Sequence, residues 1–368
     1  MTKIARCQLA DIVPGLPAAA GLDLRDFQKG ETDSLFLCAL GFEPRCLTLP
    51  CRLDEAEYRA GRAVYFKYAT NADDNAANLP ELERHLHRLS GKVEAIEADA
   101  PEFPSRLRGL LELVMSESSA QPPCVTFDIS VAANRLLLRC VKVLLEFDIC
   151  VRVIYAEAAV YHPTKDEYGQ DPAKWQADDL LGLERGVSDV GTSIDHPGLS
   201  LDPLPDALIL FPSFKAERSR AVVSFVDPSL LADPGKKVVW LLGVPHLEED
   251  QWRLEAMRNI NGIAEWAPQH EVSTFDYRDT LRVLEHCHAE MWERYKVTIS
   301  PLGSKMQALG TALFCYMCPD VRIIFCTPKE YNATQYSEGC KEVWRLEFGA
   351  LRELRSKLDM AGTLRLEE

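Results

Sequence analysis

In ISPLGSKMQALGTALF, residues 299–314, an apolar run closes at Ser300, and a small, hydroxylated, cationic turn follows: Gly303-Ser304-Lys305. An apolar helix pattern begins directly after it. Backbone N–H groups at a helix start point at whatever lies beyond, and the helix dipole favours an anion there. Lys305 adds a positive charge and Gln307 a hydrogen-bonding amide. The spacing is not that of a Walker A loop, which needs a second, earlier glycine. The same residues also read as a plain capped helix start with a solvated lysine.

Three further stretches put polar chemistry after strand-like runs. In Gly41-Phe42-Glu43-Pro44-Arg45-Cys46 the glycine permits a sharp turn. The planar fork of Arg45 suits a phosphate or carboxylate, although Glu43 and Arg45 also read as a surface ion pair. Phe127-Asp128-Ile129-Ser130, with Asn134 and Arg135 beyond it, reads either as a ligand contact or as a helix cap. Thr327-Pro328-Lys329-Glu330-Tyr331-Asn332 is polar and aromatic, and Tyr331 suits stacking on a base or partly buried packing. The candidate ligand set is therefore Gly41, Glu43, Arg45, Asp128, Ser130, Ser300, Gly303, Ser304, Lys305, Gln307, Thr327 and Tyr331. No catalytic group stands out. In an enzyme, Asp128 would be the polar catalytic group, with Lys305 stabilising phosphoryl charge.

Metal and cofactor motifs are weak. Cys315-x-x-Cys318 has zinc-like spacing but lies in an apolar helix pattern without a second pair. His286 and His288, like His85 and His87, stand two apart and do not share a helix face. No G-x-S-x-G, H-E-x-x-H or dinucleotide-type glycine repeat occurs. No metal and no cofactor are expected.

The elements that must position these residues alternate. Apolar strand runs at 34–42, 63–70, 92–99, 124–130 and 150–158 are separated by helical patterns. A second series has strands at 206–214, 236–244, 271–277, 296–301 and 321–328. Such alternation predicts an α/β fold with mostly parallel sheets, built as two tandem Rossmann-like units. Residues 125–161 can be laid on 297–331, and 34–46 on 206–220, in the same order of elements, which points to an internal duplication. The expected organisation is a lead-in at 1–32, a first Rossmann-like domain at 33–161 and a connector or rim insertion at 162–205. A second domain at 206–340 and a C-terminal helix at 341–368 complete it.

Composition bounds the partners. With 368 residues, 47% hydrophobic and 26% charged, the chain has ordinary globular make-up and material for a core. A net charge of −15 speaks against long duplex nucleic acid, which needs clustered cations, but allows a small anionic ligand in a locally basic pocket. No apolar run is long enough for a bilayer, and no signal peptide is read. Twelve scattered cysteines fit reduced thiols and a cytoplasmic setting.

At residues 296–339, VTISPLGSKMQALG followed by VRIIFCTPKEYN resembles the signature of CRISPR-associated Rossmann fold (CARF) domains, where a strand enters a Gly-Thr/Ser-Lys turn. Gly303, Ser304, Lys305 and Gln307 occupy those positions. The related SAVED sensors look like two CARF-like units in one chain. The resemblance covers about 45 residues closely and is architectural elsewhere. It implies a module of a prokaryotic defence or stress system that senses an oligonucleotide second messenger, linear or cyclic, with an effector protein as partner and homodimer formation as an option. It departs from CARF chains in having no separate effector region after the second unit, and in carrying Asp128 where the first unit would need a Gly-Ser-Lys counterpart. A phosphodiesterase or other nucleotide-processing enzyme using the same cleft, and a non-catalytic subunit docking through its tail helix, are the alternatives.

Overall fold

The computed structural model describes residues 9–23, 32–118, 122–170, 184–199, 203–232, 235, 237–333 and 336–362. Parts of the expected lead-in (1–8, 24–31), connector (171–183, 200–202) and tail (363–368) lie outside the described residues. Along the chain, α1 (Leu9–Ile12) and β1 (Ala20–Gly21) precede β2 (Thr32–Ala39), α2 (Thr48–Glu55), β3 (Arg59–Lys67), α3 (Ala72–Ala76) and α4 (Leu79–Leu89). β4 (Val93–Glu97), α5 (Phe103–Glu117), β5 (Cys124–Asp128), α6 (Asn134–Leu144) and β6 (Cys150–Glu157) follow. Next come β7 (Val160–Tyr161), α7 (Lys165–Gln170) and β8 (Glu184–Pro197). The second alternation holds β9 (Asp206–Phe211), α8 (Ala216–Val226), β10 (Val238–Val244), α9 (Trp252–Asn261) and β11 (Gln269–Ser273). It continues through α10 (Tyr277–Met291), β12 (Lys296–Pro301), α11 (Lys305–Met317) and β13 (Arg322–Tyr331). β14 (Ser337–Glu338), β15 (Glu342–Ala350) and α12 (Leu351–Gly362) come last.

The chain divides into two compact units. The N-terminal unit takes Leu16–His162 and Ala333–Lys357; the C-terminal unit is built on Pro163–Asn332. Among the described residues the N-terminal unit carries a seven-stranded sheet, β1-β15-β6-β5-β2-β3-β4, and the C-terminal unit a six-stranded one, β11-β10-β9-β12-β13-β8. In the first, β2 to β6 pair in parallel, whereas β15 is antiparallel to β6 and to β1. In the second, β9 to β13 pair in parallel and β8 is antiparallel to β13. The protein is thus α/β, with two mostly parallel sheets arranged as Rossmann-like units. Unbroken buried runs such as Leu35-Phe36-Leu37 and Leu208-Ile209-Leu210 follow from this, because helices cover both faces of a parallel sheet.

From β4 inward one sheet reads β4-β3-β2-β5-β6-β15; from β11 the other reads β11-β10-β9-β12-β13-β8. The two orders correspond strand for strand. The antiparallel strands are exchanged in sequence: β8 follows β6 but pairs with β13, and β15 follows β13 but pairs with β6.

Two segments differ from the sequence expectation. The stretch read as a connector contains β8, a 14-residue strand. Its Val187 and Val190 pack against the C-terminal unit's core beside Leu208, Leu210 and Ile324, while Ile194 stays exposed, so the apolar signal was thin. The tail read as one helix is β15 followed by α12. Val343 and Leu346 are buried and stand three apart, which mimics a helical face. A bulge between Glu347 and Gly349 and the free edge of β6 make the segment a strand. Among the described residues, no helix is long and apolar enough to cross a membrane.

Candidate functional site

In each sheet the chain reverses direction once. β2 feeds β3 on one side while its neighbour β5 feeds β6 on the other; β9 feeds β10 and its neighbour β12 feeds β13 in the same way. Open α/β sheets usually receive ligands at the carboxyl ends of such a strand pair.

At the N-terminal unit's reversal, Gly41 follows β2, and a side chain there would press on Val131 at 3.2 Å. The 3-10 turn Pro44–Leu47 then carries Arg45 and Cys46 inward. Arg45 is 3% exposed. Its guanidinium donates to the Ala156 carbonyl at 2.7 Å and pairs with Glu43 at 2.5 Å. Glu43 also accepts from the Ser337 hydroxyl, and Tyr336 meets Phe42 edge-on. Asp128, also buried, accepts from the backbone N–H of Ser130 at 2.9 Å and from its hydroxyl. Ser130 Oγ in turn accepts from the Ala156 N–H at 2.8 Å. Burial pushes the Asp128 carboxyl up to about 6, against the pull of the Ser130 hydrogen bonds and the Arg45 charge. Burial likewise raises the hydroxyls of Tyr155 and Tyr161, which share a 2.6 Å hydrogen bond. The Glu43–Arg45 ion pair read from the sequence is present, but buried and not at the surface. The 3-10 turn, not the residue type, decides where it goes.

At the C-terminal unit's reversal, Phe211 of β9 lies opposite Pro301 of β12. Ser304 caps α11 and forms a capping box with Gln307. Its hydroxyl accepts from the Gln307 N–H at 3.1 Å and donates to the Thr274 carbonyl at 2.6 Å. Gln307, 2% exposed, accepts from the Ser304 N–H at 2.9 Å and donates toward the Val272 carbonyl at 3.4 Å. The box thus leans from the end of β12 across to the end of β11. A side chain at 303 would push the Gln307 amide out of the capping box, because a Cβ would stand 2.1 Å from Gln307 Oε1. Gln307 is accordingly a brace, with its amide engaged inside the unit. Ser300 is fully buried, and among the described residues its Oγ has no hydrogen-bond partner. Lys305 is the first residue of α11 and is half-buried.

The equivalent helix after β9, α8, starts at Ala216 with Lys215 as its N-cap. Two helix N-termini, each with a lysine at its start, therefore open from adjacent strand ends. The loop after β9 is held by Asn261, whose amide donates to the Ser213 carbonyl at 2.9 Å. Beside it stands an aromatic group. The Trp252 ring lies 6.4 Å from Phe214 and 5.4 Å from Tyr168, and the Arg253 guanidinium lies over both the Phe214 and Trp252 rings. Arg253 is fixed by the Pro163 carbonyl at 2.8 Å and by Asp250 at 3.1 Å.

The predicted residues therefore fall into separate groups. Gly41, Glu43, Arg45, Asp128 and Ser130 gather at one reversal; Ser300, Gly303, Ser304, Lys305 and Gln307 gather at the other. Thr327 and Tyr331 both stand within β13, opposite Asp189 and Glu184 of β8; the strand was expected to end at 328, before Tyr331. The strand runs on because β8 supplies its partner. Lys215, Phe214 and Trp252 were not singled out in the sequence, although Phe214 closes the apolar run at 206–214 and Lys215 directly follows it.

No protein-family model matches the chain, and no curated protein matches it. Among solved structures, the cytoplasmic domain of a prokaryotic cation chloride cotransporter aligns over 82% of this chain and 98% of its own, with 9% identity and a TM-score of 0.22. A likeness that weak says nothing about function.

Proposed function

We propose that the chain is a nucleotide-sensing module and that its C-terminal unit binds a ligand phosphate at the β9/β12 reversal. The observation that carries this reading is the pair of helix N-termini, α8 and α11, led by Lys215 and Lys305 from adjacent parallel strands. Helix dipoles and backbone N–H groups favour an anion at such a place. The cationic pair stands out in a chain of net charge −15. The aromatic group of Phe214, Trp252 and Tyr168 offers faces on which a base can stack. The resemblance of the Gly303-Ser304-Lys305 turn to CARF and SAVED sensors points to an oligonucleotide second messenger and to a bacterial defence or stress system. The capping box qualifies the turn's part in this: Ser304 and Gln307 shape it, while Lys305 supplies the charge.

The test is calorimetric titration of the full chain with a panel of linear and cyclic oligonucleotides. Saturable binding with little turnover is expected. Lys305→Ala and Lys215→Ala should each weaken it about tenfold, the usual effect of one lost charge-assisted hydrogen bond. Unchanged affinity in both variants would overturn the site.

A further inference from the structure

One histidine and one cysteine from the pairs that fail as motifs along the sequence meet in space. His288 lies in the last turn of α10, Cys318 is the C-cap of α11, and Asp320 lies just before β13. A nitrogen, a sulfur and a carboxylate oxygen from these three residues all lie within 4.8 Å of one another. We infer that His288, Cys318 and Asp320 form a binding site for one divalent ion of the zinc class, within the C-terminal unit and at the amino-terminal edge of its sheet.

Geometry favours the fit. A four-coordinate zinc with bonds of about 2.0–2.3 Å holds its ligand atoms roughly 3.3–3.8 Å apart. His288 Nε2 and Asp320 Oδ2 are 2.9 Å apart, so they must open by under about 1 Å, and the sulfur must close by a similar amount. The scaffold is already set. α10 and α11 approach so closely that a Cβ on Gly310 would lie 2.5 Å from the Tyr277 carbonyl oxygen and 2.7 Å from Thr280 Cβ. The loop between α11 and β13 is pinned by the bond from Val321 N–H to the Cys318 carbonyl and by that from Leu199 N–H to the Pro319 carbonyl, each 3.2 Å.

Burial and donor type narrow the ion. The His288 side chain is 1% exposed and that of Asp320 44%, and Cys318 is 4% exposed. The carboxylate thus gives the ion a way in and leaves the fourth position to water. Thiolate and imidazole donors select zinc-like ions over magnesium or calcium, which take oxygen. Binding replaces the His288–Asp320 hydrogen bond with a bond from each residue to the ion, the Nε2 proton of that hydrogen bond shifting to Nδ1 as the Nε2 lone pair turns to the ion. The Cys318 S–H bond breaks, a metal–sulfur bond forms, and one proton passes to solvent.

The experiment uses the full chain, reduced and stripped with chelator, titrated with Co²⁺ alone and then displaced with Zn²⁺. One equivalent per chain is expected, with four-coordinate visible bands, a near-ultraviolet thiolate-to-cobalt band and release of one proton. Cys318→Ser should remove the thiolate band, Asp320→Asn should weaken Zn²⁺ binding at least tenfold, and Cys315→Ser, one turn earlier on α11, should change neither. The inference is overturned if the stripped protein takes up no cobalt, or if folded Cys318→Ser keeps the band. Should Cys318→Ser not fold, Asp320→Asn decides, because its side chain is nearly half exposed, and unaltered Zn²⁺ affinity there is equally fatal.

Discussion

The reversal between β2 and β5 and that between β9 and β12 occupy the same place in matching strand orders, yet they treat charge in opposite ways. At the first, Arg45 and Glu43 neutralise each other under cover, Ser337 closes over Glu43, and Asp128 is buried on Ser130. At the second, the polar side chains of Ser304 and Gln307 brace the strand ends, and lysines stand at two helix starts. One topology therefore carries a sealed, acid-bearing reversal and a cationic one. The strand order is shared; the turn conformation after each strand decides which side chains fill its reversal.

The largest test of this contrast is Arg45→Met. Removing one partner of a buried pair leaves the other charge uncompensated, at a cost of about 3–5 kcal/mol. Urea unfolding should show that loss, and Glu43→Gln combined with Arg45→Met should recover most of it. A loss below about 1 kcal/mol would mean that the pair behaves as an exposed one.

The next effect is pH-dependent. The Asp128 carboxyl sits at about 6 in the folded protein, above roughly 3.9 in an unfolded chain. A group raised in this way contributes stability that is complete below about pH 4 and lost as pH rises through its folded value. Asp128→Asn keeps an acceptor for Ser130 and should equal the wild type near pH 4. It should exceed it by on the order of 2 kcal/mol near pH 7. A stability gap that does not change with pH would show that burial of the charge is not what separates this reversal from the other.

Ser304→Ala should cost about 1 kcal/mol through loss of the cap, read as a small fall in the denaturation midpoint. The smallest stability effect belongs to Lys215→Ala and Lys305→Ala, expected within about 0.5 kcal/mol of wild type. A larger loss would make these lysines structural and blur the comparison.

The parallel strands were legible because burial on both faces writes them as apolar runs; KVTISP, 296–301, matches β12 in full. β8 and β15 were not, since their partners are set by pairing with distant edges, and Val343 and Leu346 share a helical spacing. The site was half-legible. Ser304 with Gln307 three residues on is a capping-box pattern, and the capped helix start read beside the anion site is what these two side chains form. The inward course of Arg45 depends on a short turn that periodicity does not register. The meeting of His288, Cys318 and Asp320 depends on two helix ends and a loop, and no local spacing announces it.

The exchange of β8 and β15 also bears on how the protein is made. Cys150 of β6 pairs with Ala350 of β15, so some 200 residues of chain must leave the ribosome before the N-terminal unit can complete its sheet. Until then the β6 edge has no native strand beside it, and unpaired edges invite other chains. Synthesis from the amino end cannot finish one unit and then begin the next. A fragment stopping near residue 161 is expected to aggregate where the full chain stays in solution, and a chain supplied with residues 333–357 in trans should be rescued.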